Sequence, residues 1–406
     1  MQTHLLAANL ALLGLLVGGN FVLLPIHSCL ICISTLIVYL GSHRSLISSQ
    51  TSGKDSKMEY MQRKDAYMFP VMAGVTLVGL FCLFKFLDKD LVNLCITVYI
   101  SIVSVFVIGN ECEPLIFALA LKNPDPVLEI KHWYWEEEVV ATEEENKQET
   151  DNSWFFMVFG FHLPTGWGTS NKKEKKFKRS STTYPIRQSL LASLLVGVIV
   201  TAWYVYTRHW VANNLIGAAL SLQAIESLSL GTFQNGAYLL VFLFFYDIFF
   251  VFGTDVMVTV AKSVDAPIKL VFLKQFAQSD SDALFSMLGL GDIVLPGVFV
   301  ALLLRFDFFR SFQEKRFQTS PDEFFPKNVF NIAIAMYALG LWCTVFVMHW
   351  FKHAQPALLY LVPAVLLASL LGGLGNRCLV ELWKFEETPP PSPVLAVEGE
   401  EDKKKN

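Results

Sequence analysis

Two aspartates stand inside apolar stretches of this 406-residue chain. Asp247 lies within FFYDIFFVFGTD (244–255), and Asp292 lies within MLGLGDIVLPG (287–297). An ionised carboxylate is costly inside a membrane, so membrane segments rarely carry one without a function. Two carboxylates in contact at low dielectric cannot both ionise, and one of them takes up a proton. A pair in that state can hydrolyse a peptide bond, because one carboxylate deprotonates a water molecule and the other protonates the carbonyl oxygen.

The same two acids could instead relay protons through a transporter or an ion-leak channel, so the pair alone does not choose a function. Transporters usually contain two related halves, and neither Tyr-Asp nor Gly-Leu-Gly-Asp occurs a second time in the chain. A third hypothesis is a membrane adaptor in protein quality control. An adaptor would not need both aspartates.

The composition indicates a membrane protein. Hydrophobic residues make up 53% of the chain and charged residues 17%, which is more apolar and less charged than an average soluble domain. A net charge of −4 gives no reason to expect a nucleic-acid partner. Segments of about 20 apolar residues can cross a bilayer as helices. The sequence predicts an all-α polytopic membrane protein with nine such spans, near 22–41, 67–87, 91–109, 189–207, 210–230, 237–260, 285–305, 329–350 and 355–375.

These spans divide the chain into four parts. Residues 1–109 hold the first three spans. Residues 5–19 are also apolar, as in a signal peptide, but no Lys or Arg precedes them, so we expect an interfacial or extended first helix rather than a cleaved signal. Residues 110–188 form a cytosolic loop, partly disordered. Residues 189–375 hold six spans and both aspartates. Residues 376–406 are a disordered cytosolic tail by composition.

The distribution of lysine and arginine predicts the orientation. Most of these residues fall on the side that carries segment 42–66, the long loop and the C-terminal tail, and cytoplasmic loops carry the excess of positive charge. The N-terminus is therefore expected in the lumen and the C-terminus in the cytosol. In this topology Asp247 and Asp292 lie on consecutive antiparallel helices, about 15 and 20 Å from the cytosolic ends. Their carboxylates can therefore meet.

The residues around the two aspartates resemble a known family. Three motifs match, in order and spacing, those of the GxGD intramembrane aspartyl proteases: Tyr246-Asp247, Gly289-Leu290-Gly291-Asp292 and Gln355-Pro356-Ala357-Leu358. Longer strings, such as HAQPALLYLVP (353–363) and HWVANNLIG (209–217), are more similar to signal peptide peptidase than to presenilin. The resemblance covers most of residues 60–375.

This resemblance implies a presenilin-like bundle that cleaves membrane-spanning helices, notably remnant signal peptides, in the endoplasmic reticulum. It makes Asp247 and Asp292 the catalytic pair, with neither a metal nor a cofactor. The other motif residues are expected to bind substrate: Tyr246, Gly289, Leu290, Gly291, Gln355, Pro356, Ala357 and Leu358. The expected partners are type II-oriented transmembrane peptides and the lipid bilayer, and a homo-oligomer or quality-control partners remain open.

Each motif also has a physical interpretation. Gly289 and Gly291 place no side chain beside Asp292, so a substrate backbone can come close. Pro356 removes one N–H from its helix and restricts Gln355 to extended geometry. An extended segment there could pair with an unwound substrate by strand addition.

The C-terminal residues predict the compartment. Lys403 and Lys404 occupy the fourth and third positions from the end, which is the form of the dilysine retrieval signal. The predicted topology puts this end in the cytosol, where such a signal is recognised. The sequence therefore predicts residence in the endoplasmic reticulum membrane.

Overall fold

The computed structural model describes residues 2–18, 26–50, 59–61, 63–120, 127–138, 176–254, 256–275, 284–313, 325–351 and 356–387. Three of the residues singled out above lie outside these ranges: Gln355, Lys403 and Lys404.

Helices dominate the described part of the chain. The N-terminal part comprises α1 (Gln2–Gly18), α2 (Ile26–Gln50), strand β1 (Glu59–Tyr60), α3 (Arg63–Phe86) and α4 (Lys89–Ala120). Two long strands follow, β2 (Val127–Glu138) and β3 (Lys176–Arg187). The remainder comprises α5 (Gln188–Thr207), α6 (Trp210–Ser227), β4 (Leu228–Ser229), α7 (Phe233–Phe252), α8 (Val256–Ser263), β5 (Lys269–Gln275), β6 (Leu284–Gly289), α9 (Leu290–Gln313), α10 (Asn328–Phe351), α11 (Leu358–Gly375) and α12 (Leu379–Trp383).

The fold class is confirmed, and the number of spans is not. Within the described ranges, seven helices are long and apolar enough to cross a membrane: α2, α3, α4, α5, α7, α10 and α11. The two other predicted spans exist as helices α6 and α9, and both contain polar or charged residues. Helix α6 carries Asn213 and Asn214, and α9 carries charged residues that include Arg305 and Asp307. These polar side chains are buried, which is how a membrane helix accommodates them.

Contacts within the chain divide it into two compact units. One unit contains residues 1–101 and 203–406, and the other contains residues 102–202. In the first unit α9 is the central helix, because it packs against α2, α6, α7, α10 and α11. Its residues from Val298 to Phe306 are almost fully buried. A helix surrounded on all sides must be apolar all round, and the sequence VFVALLLRF meets that condition except at Arg305.

In the second unit α4 and α5 approach to backbone contact. A Cβ added at Gly197 would lie 2.4 Å from the carbonyl oxygen of Val105, so only glycine fits there, as is common where membrane helices pack closely. Helix α4 continues to Ala120, beyond the predicted start of the loop at residue 110. The stretch ECEPLIFALA contains the good helix formers Glu, Leu and Ala, and the helix continues through Pro114.

The described part of the segment between α4 and α5 consists of two long strands. Strands β2 and β3 pair in antiparallel fashion, and the register sets Glu136 opposite Lys178 and Glu138 opposite Lys176. Opposite charges at facing positions favour such a pairing. The acidic and basic runs at the two ends of this segment are therefore complementary in position.

The segment between the two aspartates also differs from the prediction. Helix α7 ends at Phe252 and the short α8 follows, where one continuous helix over 237–260 was predicted. The predicted helix over 285–305 begins instead at Leu290, because residues 284–289 form β6 and pair with β5 from Lys269↔Gly289 onward. Pairing satisfies the backbone groups of β6, and Gly289 at the end of the strand disfavours helix. Asp292 therefore lies in the first turn of α9.

Candidate active site

Asp247 lies in the C-terminal half of α7, within its apolar run LLVFLFFYDIFFVF. Its side chain is 3% exposed. Its Oδ2 atom has no hydrogen-bond partner among the described residues. Buried polar atoms are normally hydrogen bonded, and one without a partner requires an explanation. An oxygen in this state can bind a water molecule or a substrate group.

Asp292 is half-buried at the start of α9. It interacts electrostatically with Asp247, so the structure brings the two predicted acids into range of each other. The helices that carry them are in contact. Helices α7 and α9 pack together at other residues as well. The rings of Phe233 and Phe299 lie 5.4 Å apart, and Gly236 leaves room for Phe299.

The glycines of the second motif differ in their surroundings. A Cβ added at Gly289 would lie 3.3 Å from Oδ2 of Asp292. One added at Gly291 would have no atom of the described residues within 4 Å, apart from its chain neighbours and its own helix backbone. Between them, Leu290 packs against Gly217 of α6, where an added Cβ would lie 3.3 Å from a methyl carbon of Leu290. The motif thus places a glycine, which has no side chain, on each side of Leu290, and Leu290 packs against α6.

Tyr246 points toward α3. Its ring lies 4.6 Å from the ring of Phe250. Gly74 of α3 faces both rings, since a Cβ there would lie 3.6 Å from Tyr246 and 3.4 Å from Phe250. Successive residues of a helix point about 100° apart, so Asp247 is directed away from this contact.

The third motif lies at the start of α11. Pro356, Ala357 and Leu358 are buried, and the carbonyl oxygen of Ala357 accepts from Leu361 N–H at 3.0 Å. Helix α11 packs against both α7 and α9. The third motif therefore leads directly into a helix that contacts both of the helices carrying the aspartates.

Tyr337 is a residue that the sequence did not single out. It lies on α10 with no exposed surface, and it interacts electrostatically with Asp292. Its hydroxyl has no hydrogen-bond partner among the described residues, although a buried tyrosine hydroxyl usually finds one. A single tyrosine in an apolar helix forms no recognisable sequence motif. Tyr337 is therefore identified only by its surroundings in the tertiary structure.

Comparisons with known proteins extend the resemblance beyond the motifs. The family described as signal peptide peptidase matches residues 53–389. The chain is 34% identical to signal peptide peptidase of Mus musculus over 377 residues, which cover 93% of this chain and 87% of that protein. It is 34% identical to signal peptide peptidase of Homo sapiens over 379 residues, 92% of this chain and 87% of that protein.

A further relative covers a smaller part. Intramembrane protease 2 of Caenorhabditis elegans is 43% identical over 227 residues, 54% of this chain and 46% of that protein. No solved structure matches the chain significantly. The family match includes both aspartates and all three motifs, and the helices provide several membrane spans. The chain therefore belongs to the signal peptide peptidase family of intramembrane proteases.

Proposed function

We propose that this intramembrane protease is an aspartic endopeptidase whose catalytic pair is Asp247 and Asp292. The observation that carries the proposal is that these two acids lie on helices that are in contact, near enough to interact electrostatically. The unpartnered Oδ2 of Asp247 supports it as well, because that atom is left for a water molecule or the scissile bond.

The reaction follows from sharing one proton between the two acids. The ionised carboxylate takes a proton from a water molecule, and that water attacks the carbonyl carbon of the scissile peptide bond. The protonated carboxyl gives its proton to the carbonyl oxygen. When the C–N bond of the tetrahedral intermediate breaks, the carboxyl that took the water proton gives it to the leaving nitrogen. A hydroxyl of the intermediate returns its proton to the other carboxylate, so the pair again holds one shared proton. The low dielectric around Asp247 strengthens each of these interactions.

The substrate is a membrane-spanning helix, such as a remnant signal peptide. Its amides are hidden in intrahelical hydrogen bonds, so the helix must unwind near the scissile bond. The open space at Gly291 and the segment from Gln355 to Leu358 accommodate the unwound backbone. Tyr246, Gly289 and Leu290 shape the site around the two acids.

The enzyme acts in the endoplasmic reticulum membrane, with its N-terminus in the lumen and its C-terminus in the cytosol. The excess of lysine and arginine on the C-terminal side supports this orientation. Lys403 and Lys404 act as the retrieval signal. The relatives named signal peptide peptidase support a substrate class that arises in this compartment.

Purified protein in lipid vesicles tests the proposal with a signal-peptide-like helix as substrate. Asp247→Asn and Asp292→Asn should each abolish cleavage without lowering the unfolding temperature, because one acid cannot activate both water and carbonyl. Asp88→Asn is the matched control, since Asp88 is exposed in the turn before α4. Cleavage by a pure Asp292→Asn preparation would show that the assignment is wrong.

Inhibitors provide a second line of test. Peptides with a hydroxyl group in place of the scissile carbonyl mimic the tetrahedral intermediate, and we expect them to bind tightly. Both aspartate variants should lose this binding. A chelator should leave the rate unchanged, and inhibition by the chelator would contradict the mechanism.

A further inference from the structure

Asn213 and Asn214 lie side by side in the first turn and a half of α6. Both are buried, with exposed fractions of 7% and 0%. A buried amide costs free energy unless it is hydrogen bonded, and asparagine is also a poor helix former. The proposed reaction gives neither residue a role. The partners of the two amides therefore indicate why they are present.

Asn214 pairs with both backbone groups of one residue in β5. Its Nδ2 donates to the carbonyl oxygen of Val271 at 2.7 Å, and its Oδ1 accepts from the N–H of Val271 at 2.8 Å. Asn213 extends this contact, because its Nδ2 donates to the carbonyl oxygen of Lys269 at 2.7 Å and to Oδ1 of Asn214 at 3.2 Å. The two side chains thus take the place that a neighbouring strand would have beside β5.

The opposite edge of β5 is occupied by β6. In an antiparallel pair the backbone groups of alternate residues point to opposite edges. Because both groups of Val271 bind Asn214, those of Leu270 and Phe272 are directed toward β6, where they stand opposite Leu288 and Ser286. Strand β5 is therefore fixed on one side by α6 and on the other by the strand that leads to Asp292.

The same face of α6 also contacts the start of α9. Gly217 lies one turn beyond the asparagines, and a Cβ there would come within 3.3 Å of a methyl carbon of Leu270 and of Leu290. The N–H of Leu290 donates to the carbonyl oxygen of Ile268 at 3.0 Å. The residue that begins the helix of Asp292 is thus held by α6 and by the segment just before β5.

The linker before β5 is anchored as well. The guanidinium of Arg208, two residues before α6, donates to the carbonyl oxygen of Asp265 at 3.0 Å and lies 3.7 Å from its carboxylate. The N–H of Asp265 donates to Asn93 of α4 at 3.2 Å. The start of α6 therefore fixes both the linker and the strand, so the hairpin has a defined register against this helix.

We infer that Asn213 and Asn214 are positioning residues, which fix the β5–β6 hairpin against α6 and thereby set the place of Asp292 relative to Asp247. This inference rests on the proposed function, since it takes Asp292 as catalytic. Without the amides, the pairing of β5 with β6 and the packing of α9 remain. The hairpin can then shift without unfolding. The shift moves Asp292, so we expect kcat to be affected more than substrate binding.

The test uses Asn214→Leu, whose side chain has the same number of heavy atoms and the same branching and makes no hydrogen bond. The full-length protein in lipid vesicles would be given one transmembrane peptide, and kcat, KM and the cleaved bonds would be measured, the last by mass spectrometry. We expect kcat to fall about tenfold to a hundredfold, because a displacement of about 1 Å can cost that much. KM should change little, and the cleaved bonds should shift along the peptide.

Ser221→Ala is the matched control. Ser221 is also fully buried on α6, but its hydroxyl donates only within the helix, to the carbonyl oxygen of Gly217 at 2.9 Å. It should keep the normal kcat and cleavage positions. A normal kcat and normal cleavage positions in Asn214→Leu would overturn the inference. Asp292→Asn distinguishes a failure of this inference from a failure of the proposed function. Cleavage by Asp292→Asn would overturn the proposed function and, with it, this inference.

Asn213→Ala is the alternative test variant if Asn214→Leu does not accumulate as folded protein. It removes the donor to Lys269 and leaves both hydrogen bonds of Asn214 to Val271 in place. We expect a smaller fall in kcat with the same kind of shift in cleavage positions. Unchanged kinetics and unchanged cleavage positions would overturn the inference.

Discussion

Gly289 and Asp292 stand so close that a Cβ at position 289 would lie 3.3 Å from Oδ2 of the aspartate. Gly291, in the same motif, has no such neighbour: apart from its chain neighbours and its own helix backbone, no atom of the described residues lies within 4 Å of its Cβ position. The first glycine leaves room for the carboxylate, and the second borders open space. Two glycines that look alike in the sequence therefore have different surroundings.

This difference predicts different kinetic effects for alanine at the two positions. Gly289→Ala should lower kcat, because the new methyl group presses on the Asp292 carboxylate and displaces it. Gly291→Ala should mainly raise KM, because its methyl group enters the space proposed for the substrate backbone. Measuring kcat and KM for both variants on one peptide checks the prediction. The same effect from both would mean that the two glycines act only on helix formation.

Tyr337→Phe separates a catalytic contribution from a structural one. The hydroxyl is buried without a partner among the described residues, so its removal should leave the unfolding temperature unchanged or raise it. If this hydroxyl holds a water molecule near Asp292, kcat should fall by about tenfold or more. Thermal unfolding and kcat of the purified variant provide the check. A normal kcat would leave Tyr337 with a packing role alone.

The start of α11 should matter more to cleavage than to folding. Leu358→Ala and Leu361→Ala each remove a buried leucine side chain one turn apart, and each should cost about 2–5 kcal/mol of stability. Only Leu358 belongs to the third motif, so only its replacement should greatly reduce kcat/KM. Pro356→Ala should do the same with less loss of stability. Equal activity of the two leucine variants, at equal stability, would assign this motif a structural role.

A buried ion pair ties the end of the described chain to α9. Arg305 Nε lies 2.5 Å from Glu387 Oε1, with side-chain exposures of 5% and 7%. Arg305 also donates to the hydroxyl of Ser45, and Glu387 accepts from the hydroxyl of Ser229. Four segments of the fold therefore meet at this pair.

Removal of one partner should be strongly destabilising. We expect Glu387→Leu to cost about 3–5 kcal/mol, because it leaves the Arg305 charge buried without its counter-ion. The pair of Arg310 with Glu381, 3.4 Å apart, is the control, because its side chains are more exposed, at 27% and 62%. Glu381→Leu should change stability by about 1 kcal/mol or less. Chemical or thermal unfolding measures both. Combining Glu387→Leu with Arg305→Met should restore much of the loss, and a failure to do so would mean that packing, not charge, dominates.

The C-terminal lysines predict the cellular distribution. Replacing Lys403 and Lys404 by serine should release part of the protein from the endoplasmic reticulum, because the retrieval signal is lost. Lys405→Ser is the control, since it leaves lysine at the third and fourth positions from the end. Membrane fractionation or microscopy of tagged protein in cells reports the result. An unchanged distribution would mean that the membrane spans provide retention.

The sequence alone determined the class of protein and the candidate acids. A carboxylate is so costly in a membrane interior that Asp247 and Asp292 stand out without any structure. Hydropathy likewise indicated where most of the helices lie, because a spanning helix needs about 20 apolar residues. The three motifs were enough to suggest the family, and the match over residues 53–389 confirmed it.

Only the tertiary structure decided how Asp292 is held. The run LFSMLG before the motif is apolar and short, and a pattern of this kind fits a buried strand as well as a buried helix. This run becomes strand β6 because β5, which lies earlier in the chain, supplies the hydrogen-bond partners of its backbone. Strand β5 in turn depends on Asn213 and Asn214, more than 50 residues away in the sequence. Local sequence cannot specify such contacts, because the free energy that selects strand over helix comes from partners that only folding brings together.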